Sequence, residues 1–252
     1  MKPYQQDLAV LLAESRALFF RDDLTLKDGR PTPYFVNFGL FRTGRLVAVL
    51  GRIMADHLVD SGLHERFDVL IGPSYKGSAL AVATAEALWL NHQVDRGFDY
   101  DRKEAKTHGE ASRAAARFVT GALADNCRVL IIDDVVTTMA TKFEILSRLT
   151  EEATDRGHSY HPAGVALFLD REQTTAVYGY DKQPVLGERG QDAVENFRVV
   201  TGLPVSAILG IRATIDFLWK EKIPVTQNGR WEPLTEASLT AFRDYLNLYG
   251  LA

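Results

Sequence analysis

Two adjacent carboxylates, Asp133 and Asp134, directly follow an apolar run at 129–132. Such a run is typical of a strand that is buried on both faces of a parallel sheet, so the acids are predicted to lie at the strand's carboxyl end. A threonine-rich turn comes next, and helical spacing begins at Lys142. Hydroxyl and backbone N–H groups between a strand end and a helix N-terminus suit a phosphate monoester. The stretch therefore predicts a site for a phosphorylated ligand.

The two carboxylates can serve one ligand only under a geometric condition. Adjacent strand residues point to opposite faces, so both side chains reach the same ligand only if the turn begins at Asp133. There they could accept hydrogen bonds from vicinal hydroxyls or hold a hydrated Mg²⁺. Two acids after a strand are otherwise about as often helix caps as ligand contacts, and the threonines beyond them favour the ligand role.

A basic segment at 102–110 contains three cations and one histidine. Taken alone, a charge run is usually a solvated face. The chain as a whole is acidic, with 29 basic and 33 acidic residues, so any anionic ligand must be met by a local basic cluster. Together with the phosphate-suited turn, the segment predicts a mobile loop that closes over a polyanion.

Several classes of protein are disfavoured by what the sequence lacks. Residues 72–78 have the glycine spacing of a P-loop without its Lys-Ser/Thr ending, and Ser74 does not lie in a G-x-S-x-G nucleophile motif. The six histidines include no H-E-x-x-H, which disfavours a zinc hydrolase. The net charge of −4 argues against nucleic-acid binding. The single Cys127, the lack of a signal peptide and the lack of a long apolar run predict a cytoplasmic protein without a membrane partner.

Strand and helix patterns alternate along the 252 residues, which favours an α/β fold with an open, mainly parallel twisted sheet flanked by helices. Buried strands are predicted at 67–73, 128–132, 163–169 and 205–209, and helices at 4–20, 44–61, 78–91, 142–153, 211–221 and 235–248. An aromatic hairpin with an Asp-Gly turn is predicted at 24–37, and short extended pieces at 98–100 and 117–119. The polar segment 173–198 is predicted to be a surface excursion.

Five motifs together carry a family resemblance. Residues 129–141 resemble the ribose-5-phosphate loop of the type I phosphoribosyltransferases, and residues 102–110 resemble the mobile catalytic loop of the orotate phosphoribosyltransferase family. The segment 27–37 is similar to that family's hood hairpin, 72–77 to its pyrophosphate loop and 170–172 to its orotate-side motif. The resemblance implies the type I phosphoribosyltransferase fold in a single domain over 1–252, with a small N-terminal hood at about 20–42 and a mobile loop at about 102–116.

The resemblance also implies a reaction. A phosphoribosyl group would pass from 5-phosphoribosyl-1-diphosphate to orotate with Mg²⁺, giving orotidine 5′-phosphate and pyrophosphate in pyrimidine nucleotide biosynthesis. The mobile loop would complete the neighbouring subunit's site, which implies a homodimer. Mg²⁺ would be held mainly through the substrate, with Asp133 or Asp134 reaching it through water.

The site residues are implied by the same motifs. In the ribose loop, Asp133 and Asp134 would contact the ribose hydroxyls and the metal. In the mobile catalytic loop, Lys103, Lys106 and His108 would contact the pyrophosphate, and Lys106 would be the main catalytic residue. Further substrate contacts are Tyr75, Lys76 and Arg102 on the pyrophosphate side, Val135, Val136, Thr137, Thr138, Met139, Ala140 and Thr141 in the 5′-phosphate turn, and Lys27, Tyr34, Phe35, Thr137 and Arg171 at orotate. Arg171 would pair with the orotate carboxylate.

The chain departs from the family pattern in two of its loops. Met139 followed by Ala140 replaces a glycine that would permit positive φ and a close approach of phosphate. Ala111 and Ser112 replace glycines of the mobile loop, a change that stiffens its hinge. Three alternatives therefore stay open: a phosphoribosyltransferase for another base, a non-catalytic regulator that keeps the fold, and an α/β protein with coincidental motifs.

Overall fold

The computed structural model describes residues 1–102, 117–136 and 138–251. In this part of the chain the helices are α1 (Pro3–Glu14), α2 (Gly44–Asp60), α3 (Lys76–His92), α4 (Ala140–Arg156), α5 (Ala193–Thr201), α6 (Ile211–Lys220) and α7 (Glu236–Tyr249). The strands are β1 (Leu18–Thr25), β2 (Pro31–Val36), β3 (Val69–Gly72), β4 (Gly97–Tyr100), β5 (Cys127–Val136), β6 (Tyr160–Asp170), β7 (Val205–Gly210), β8 (Pro224–Gln227) and β9 (Arg230–Pro233).

Five parallel strands form the central sheet in the order β4-β3-β5-β6-β7. The middle strand, β5, pairs Ile131 with Ile71 of β3 and with Val165 of β6. Successive residues of β5 belong to two hydrophobic cores, since Ile132 is buried in one core and Ile131 in the other. The sheet is therefore buried on both faces, as its near-continuous apolar strands require. The predicted fold class is confirmed, and the carboxyl ends of all five strands lie at one edge.

A second sheet, which forms the hood, is built from both ends of the chain. Its strand order is β2-β1-β8-β9, in which β1 is antiparallel to β2 and parallel to β8. The predicted hairpin is present, and its turn contains Gly29 at φ +88. The ring of Tyr34 in β2 fixes this sheet to α7, with centroids 5.4 Å from Phe242 and 5.9 Å from Tyr245. The hood was predicted mainly at about 20–42, where β1 and β2 lie, and β8 and β9 supply the other half of its strands.

The opening helix is shorter than predicted. It ends at Glu14, and Arg16 has φ +59, so the backbone turns before β1 begins at Leu18. Leu18 and Phe20 are buried as alternate residues of a strand that pairs with β2. The apolar residues at 18 and 19 therefore belong to a strand, and the helix predicted over 4–20 was wrong at its carboxyl end because strand pairing prevailed over helical spacing.

The segment predicted as an excursion, 173–198, is partly helical and is fastened to the hood. Asp192 caps α5, since its carboxylate accepts from the N–H groups of Val194 and Glu195. A Cβ atom built on Gly29 would lie 2.8 Å from Pro184 Cγ, so the segment lies directly against the hairpin turn. Toward α7, the N–H of Gly187 donates to the Tyr249 hydroxyl at 3.0 Å. The segment therefore braces the hood from outside.

The extended piece predicted at 117–119 contains only an isolated bridge between Phe118 and Asp101. Over the described ranges, no helix is long and apolar enough to span a membrane.

Candidate functional site

The residues that could do chemistry gather where β3, β4, β5 and β6 end. Because these strands are parallel, the segments that follow them meet at the same edge of the sheet. The segment after β3 is the predicted pyrophosphate loop, and the one after β5 is the predicted phosphate turn. Residues 170–172 follow β6 and face the hood.

The loop after β3 is closed by two glycines in contact. A Cβ atom on Gly72 would lie 1.8 Å from the carbonyl oxygen of Gly77, so no larger residue fits the ring that the loop makes. The peptide bond between Ser74 and Tyr75 is cis, and the Tyr75 side chain is exposed. Lys76 begins α3 and extends over the edge of the sheet, where its Nζ lies 3.7 Å from Asp134 Oδ2. The loop therefore brings an exposed ammonium group to the acids of β5.

Asp101, just after β4, holds this loop to its neighbours. Its buried carboxylate accepts from Ser74 N at 2.6 Å and from Arg148 of α4, while its carbonyl oxygen accepts from Ser74 Oγ at 2.6 Å. Arg148 also donates to the carbonyl oxygen of Arg102 at 2.9 Å. A cleft of about 670 Å³ opens beside these contacts, between the Ser74–Tyr75 bond and the predicted site residue Arg102. Sequence reasoning missed Asp101 because its partners are distant in the chain.

The flanks of the basic segment lie beside this cleft. The N–H of Arg102 donates to the carbonyl oxygen of Arg117 at 2.7 Å. The buried carboxylate of Asp99 accepts from the N–H groups of Val119 and Thr120, each at 2.9 Å. Lys103, Lys106 and His108, which were predicted to act from this segment, lie outside the described residues, as does Thr137.

Asp133 and Asp134 do not begin the turn. β5 continues to Val136, which pairs with Asp170 of β6, so the two acids are still strand residues. Asp133 Oδ2 accepts from the ammonium group of Lys142, whereas Asp134 faces Lys76 on the other side. The condition for both carboxylates to serve one ligand is therefore not met. Burial, followed by the charge of Asp133, raises the pKa of the Asp134 carboxyl above its ordinary value.

The phosphate turn presents a methionine where glycine was expected. Met139 has φ +59, the left-handed conformation that a glycine would adopt without strain, and is the residue before the first turn of α4. That conformation costs a non-glycine residue about 1–2 kcal/mol. The Met139 side chain is buried in the core with Ile145 and Leu149, and burial of this kind contributes about 1.5–3 kcal/mol. The replacement therefore keeps the backbone shape that the glycine would give, with core packing offsetting the strain.

The residues around Met139 divide into exposed and buried side chains. Thr138, Ala140 and Thr141 are exposed at the N-terminus of α4, where hydroxyls and free N–H groups can meet an anion. The Val136 side chain is buried in the core, and Val135 is partly buried, so these two can offer a ligand mainly backbone groups.

Lys142 is a site residue that the sequence analysis did not identify as such. It is 3% exposed and pairs with Asp133 from the first turn of α4. A signal was present, because Lys142 has the same helical spacing as the buried Ile145 and Leu149. A lysine on the apolar side of a helix must find a partner inside the protein.

The hood side of the site centres on Arg171. Its guanidinium carbon lies 4.7 Å from the ring centroid of Tyr34, and its Nε donates to the Tyr34 hydroxyl at 3.3 Å. Both side chains are buried, and Arg171 Nη2 has no hydrogen-bond partner among the described residues. Phe35 points to the other face of β2, where its ring lies 5.8 Å from Phe19, and Lys27 is exposed near the hairpin turn. Two of the predicted orotate residues, Tyr34 and Phe35, thus lie on opposite faces of the hood sheet.

A second buried arginine lies in the same region. Arg30 pairs with Asp28 at 2.7 Å and lies over the ring of Tyr249 at 5.0 Å. Another cleft, of about 420 Å³, lies between β8, β9 and α7, and its lining contains none of the predicted site residues.

Known proteins resemble this chain in sequence and in structure. No protein-family model matches the chain. The orotate phosphoribosyltransferase of Saccharophagus degradans is 36% identical over 218 residues, covering 86% of this chain and 90% of the relative. That of Methylococcus capsulatus is 36% identical over 252 residues and covers 100% of both chains. The solved structure of the orotate phosphoribosyltransferase of Francisella tularensis matches with a TM-score of 0.70 and 28% identity, over 97% of this chain and 98% of that one.

We expect Asp101→Ala to weaken the binding of inorganic pyrophosphate by about tenfold, the equivalent of about 1.4 kcal/mol. The alanine frees Ser74 N and leaves Arg148 without its carboxylate, so the loop after β3 loses its anchor. Asp101→Asn keeps an acceptor for Ser74 N and should weaken binding less. Titration calorimetry in the presence of Mg²⁺ measures the affinity.

Asp68→Asn is the matched control for this experiment, because Asp68 forms an exposed pair with Arg128 at the opposite edge of the sheet. Equal pyrophosphate affinities for the wild-type chain and Asp101→Ala would show that Asp101 does not position the loop.

Proposed function

The chain belongs to the orotate phosphoribosyltransferase family, and from this we propose that it transfers the phosphoribosyl group of 5-phosphoribosyl-1-diphosphate to orotate. The products are orotidine 5′-phosphate and pyrophosphate, as in pyrimidine nucleotide biosynthesis. The relatives that support this match at 36% identity over most or all of the chain. A full-length match at this level refutes the alternative of coincidental motifs.

The observation that carries the choice of orotate is the buried guanidinium of Arg171. It forms no ion pair within the described residues, and its Nη2 lacks a hydrogen-bond partner there. A buried, unpaired cation is costly, and a planar carboxylate is the group that a guanidinium fork binds best. Orotate has such a carboxylate, whereas uracil and the purine bases do not. The buried Tyr34 ring lies beside the Arg171 guanidinium and holds it in place.

The other end of the site suits the phosphoribosyl donor. Arg102 lines the cleft at Ser74 and Tyr75, and Lys76 follows Tyr75 directly in the chain, so both cations would neutralise pyrophosphate there. Thr138, Ala140 and Thr141 would receive the 5′-phosphate at the N-terminus of α4. Asp134, whose Oδ2 lies 3.7 Å from Lys76 Nζ, would accept hydrogen bonds from the ribose hydroxyls.

The reaction follows from the positions proposed for the base, the ribose and the phosphates. A ring nitrogen of orotate attacks the anomeric carbon as the bond to the pyrophosphate oxygen breaks, through a transition state with oxocarbenium character. The proton of that nitrogen is released to water. Lys76 and the loop after β3 stabilise the charge that develops on the leaving oxygen. Arg171, the phosphate turn and Asp134 hold the two substrates in line, which contributes through orientation.

The residues fit a Mg²⁺ ion that is carried mainly by the substrate. In the described ranges there is no group of three or more acidic, histidine or cysteine side chains that could hold a metal. Mg²⁺ keeps several waters and commonly binds through one or two carboxylates with substrate phosphates, so Asp134 would reach it through water. When bound, the ion neutralises pyrophosphate oxygens.

The remaining parts of the proposal rest on the family. Lys103, Lys106 and His108 supply cations to the pyrophosphate, with Lys106 as the main catalytic residue. The segment at 102–116 serves the site of a neighbouring subunit in a homodimer. The chain acts as one domain with the hood, in the cytoplasm.

Turnover is expected with orotate and only in the presence of Mg²⁺. Consumption of 5-phosphoribosyl-1-diphosphate is measured with orotate, uracil, adenine or hypoxanthine, with and without Mg²⁺, while pyrophosphate release is followed. Turnover only with a purine would assign the chain to another base. Binding of the donor without turnover on any base would make it a non-catalytic regulator.

Arg171→Lys should raise the KM for orotate by about 10- to 100-fold, since a lysine cannot reproduce the fork or the stacking on Tyr34. The KM for the donor should stay within about twofold, because Arg171 follows β6 on the hood side. Arg189→Lys is the control, as this exposed arginine donates only to backbone carbonyls of α7. An unchanged KM for orotate would remove Arg171 from the base site.

Lys106→Ala should lower kcat by about 100-fold or more, the usual effect of removing one charge-stabilising donor. Lys220→Ala, at the exposed end of α6, is the control. Initial rates at saturating substrates measure the difference. Equal kcat values for Lys106→Ala and the wild-type chain would refute the assignment of the basic segment.

A further inference from the structure

The phosphate turn has a buried ion pair beneath it. Lys142 is 3% exposed and Asp133 is 9% exposed, and they lie on the two sides of the turn, at the end of β5 and in the first turn of α4. Each carboxylate oxygen of Asp133 accepts a hydrogen bond from inside the protein. Oδ1 accepts from the N–H of Asp134 at 2.9 Å, and Oδ2 accepts from Lys142 Nζ.

We propose that Asp133 is a positioning residue that, with Lys142, holds the phosphate turn in its binding shape, and that only Asp134 contacts the ribose. This inference rests on the proposed function, because it divides the two acids of the donor site into separate roles. It replaces the expectation that both carboxylates meet the ligand.

The strand geometry supports this division of roles. β5 remains paired with β6 through Val136, so Asp133 and Asp134 project from opposite faces. The Asp134 face carries Lys76, the cation of the predicted pyrophosphate loop. The Asp133 face carries Lys142 and is covered by α4. To reach a ribose on the Asp134 face, the Asp133 carboxylate would have to turn away from Lys142 and leave that ammonium group alone in the interior, which is strongly unfavourable.

The location of Lys142 explains why the pair acts on the turn. A cation in the first turn of a helix is opposed by the helix dipole, so Lys142 is stable there only because Asp133 lies opposite. Its own N–H donates to the carbonyl oxygen of Met139 at 2.9 Å, which joins the pair to the residue at φ +59. The ion pair therefore ties the start of α4 to the end of β5 across the turn. A turn without glycine at 139 depends on such a tie to keep its N–H groups aimed at phosphate.

A double-mutant cycle tests the proposal. Lys142→Met removes the ammonium group at similar volume, Asp133→Asn removes the opposing charge, and the double variant removes both. Either single variant leaves one buried charge unpaired, whereas the double variant leaves none. Each single variant is expected to lower the unfolding midpoint by about 6 °C or more. The KM for 5-phosphoribosyl-1-diphosphate should rise about tenfold, with that for orotate unchanged.

The double variant decides between positioning and direct contact. If Asp133 only positions the turn, the double variant regains the midpoint and returns the donor KM to within about threefold of wild type. If the midpoint recovers while the donor KM stays high, Asp133 contacts the ligand and the proposal is overturned. Unchanged midpoint and KM values in Lys142→Met would also overturn it. If Lys142→Met is insoluble, the midpoint and the donor KM of Asp133→Asn are compared with those of the double variant, which gives the same information.

Two further variants serve as controls for the cycle. Lys2→Met breaks the exposed pair between Lys2 and Asp60 and should leave all the values unchanged. Asp134→Asn should lower kcat without rescue by Lys142→Met. The increase in the unfolding midpoint caused by inorganic phosphate is recorded for every variant, and should be lost in the single variants and regained in the double. This readout needs no turnover, so an inactive wild-type chain would refute the proposed function while the cycle still tests the pair.

Discussion

The site depends on the parallel pairing of β5 with β3 on one side and β6 on the other. This pairing brings the carboxyl ends of the strands to one edge, so that loops far apart in the chain become neighbours. It also keeps β5 extended through Val136, and so sets the directions of the two acids. Asp101 adds a lateral connection, since it joins the loop after β3 to α4. The sheet thus determines both which groups meet and how they are aimed.

The second constraint is the attachment of the hood. Tyr34 is enclosed by Phe242 and Tyr245 of α7, and the same ring lies beside Arg171 at the end of β6. One aromatic side chain therefore couples the hood sheet, the last helix and the end of β6. The segment between β6 and α5 strengthens this arrangement through Pro184 at the hairpin turn.

The phosphate turn shows how a binding shape can persist when its usual residue is replaced. Met139 adopts the left-handed conformation, and its buried side chain offsets the strain of that conformation. Beneath the turn, the pair between Lys142 and Asp133 joins α4 to β5. Packing and an internal ion pair thereby supply the fixed geometry that a glycine would have permitted without cost. As a result, Asp133, one of the two adjacent acids, has its side chain paired in the interior.

The sequence by itself determined the alternating pattern, the apolar strands of the central sheet, the hairpin at Gly29, and the motifs that identify the family, because each is written in local spacing. Tertiary structure alone decided where α1 ends, that α5 forms within a polar segment, and that β8 and β9 complete the hood. It also decided the contacts of Lys142 and Asp101, and the separation of Asp133 from Asp134. The physical reason is the same in each case: strand pairing and buried charge partners join residues distant in the chain, and local spacing contains no information about such partners.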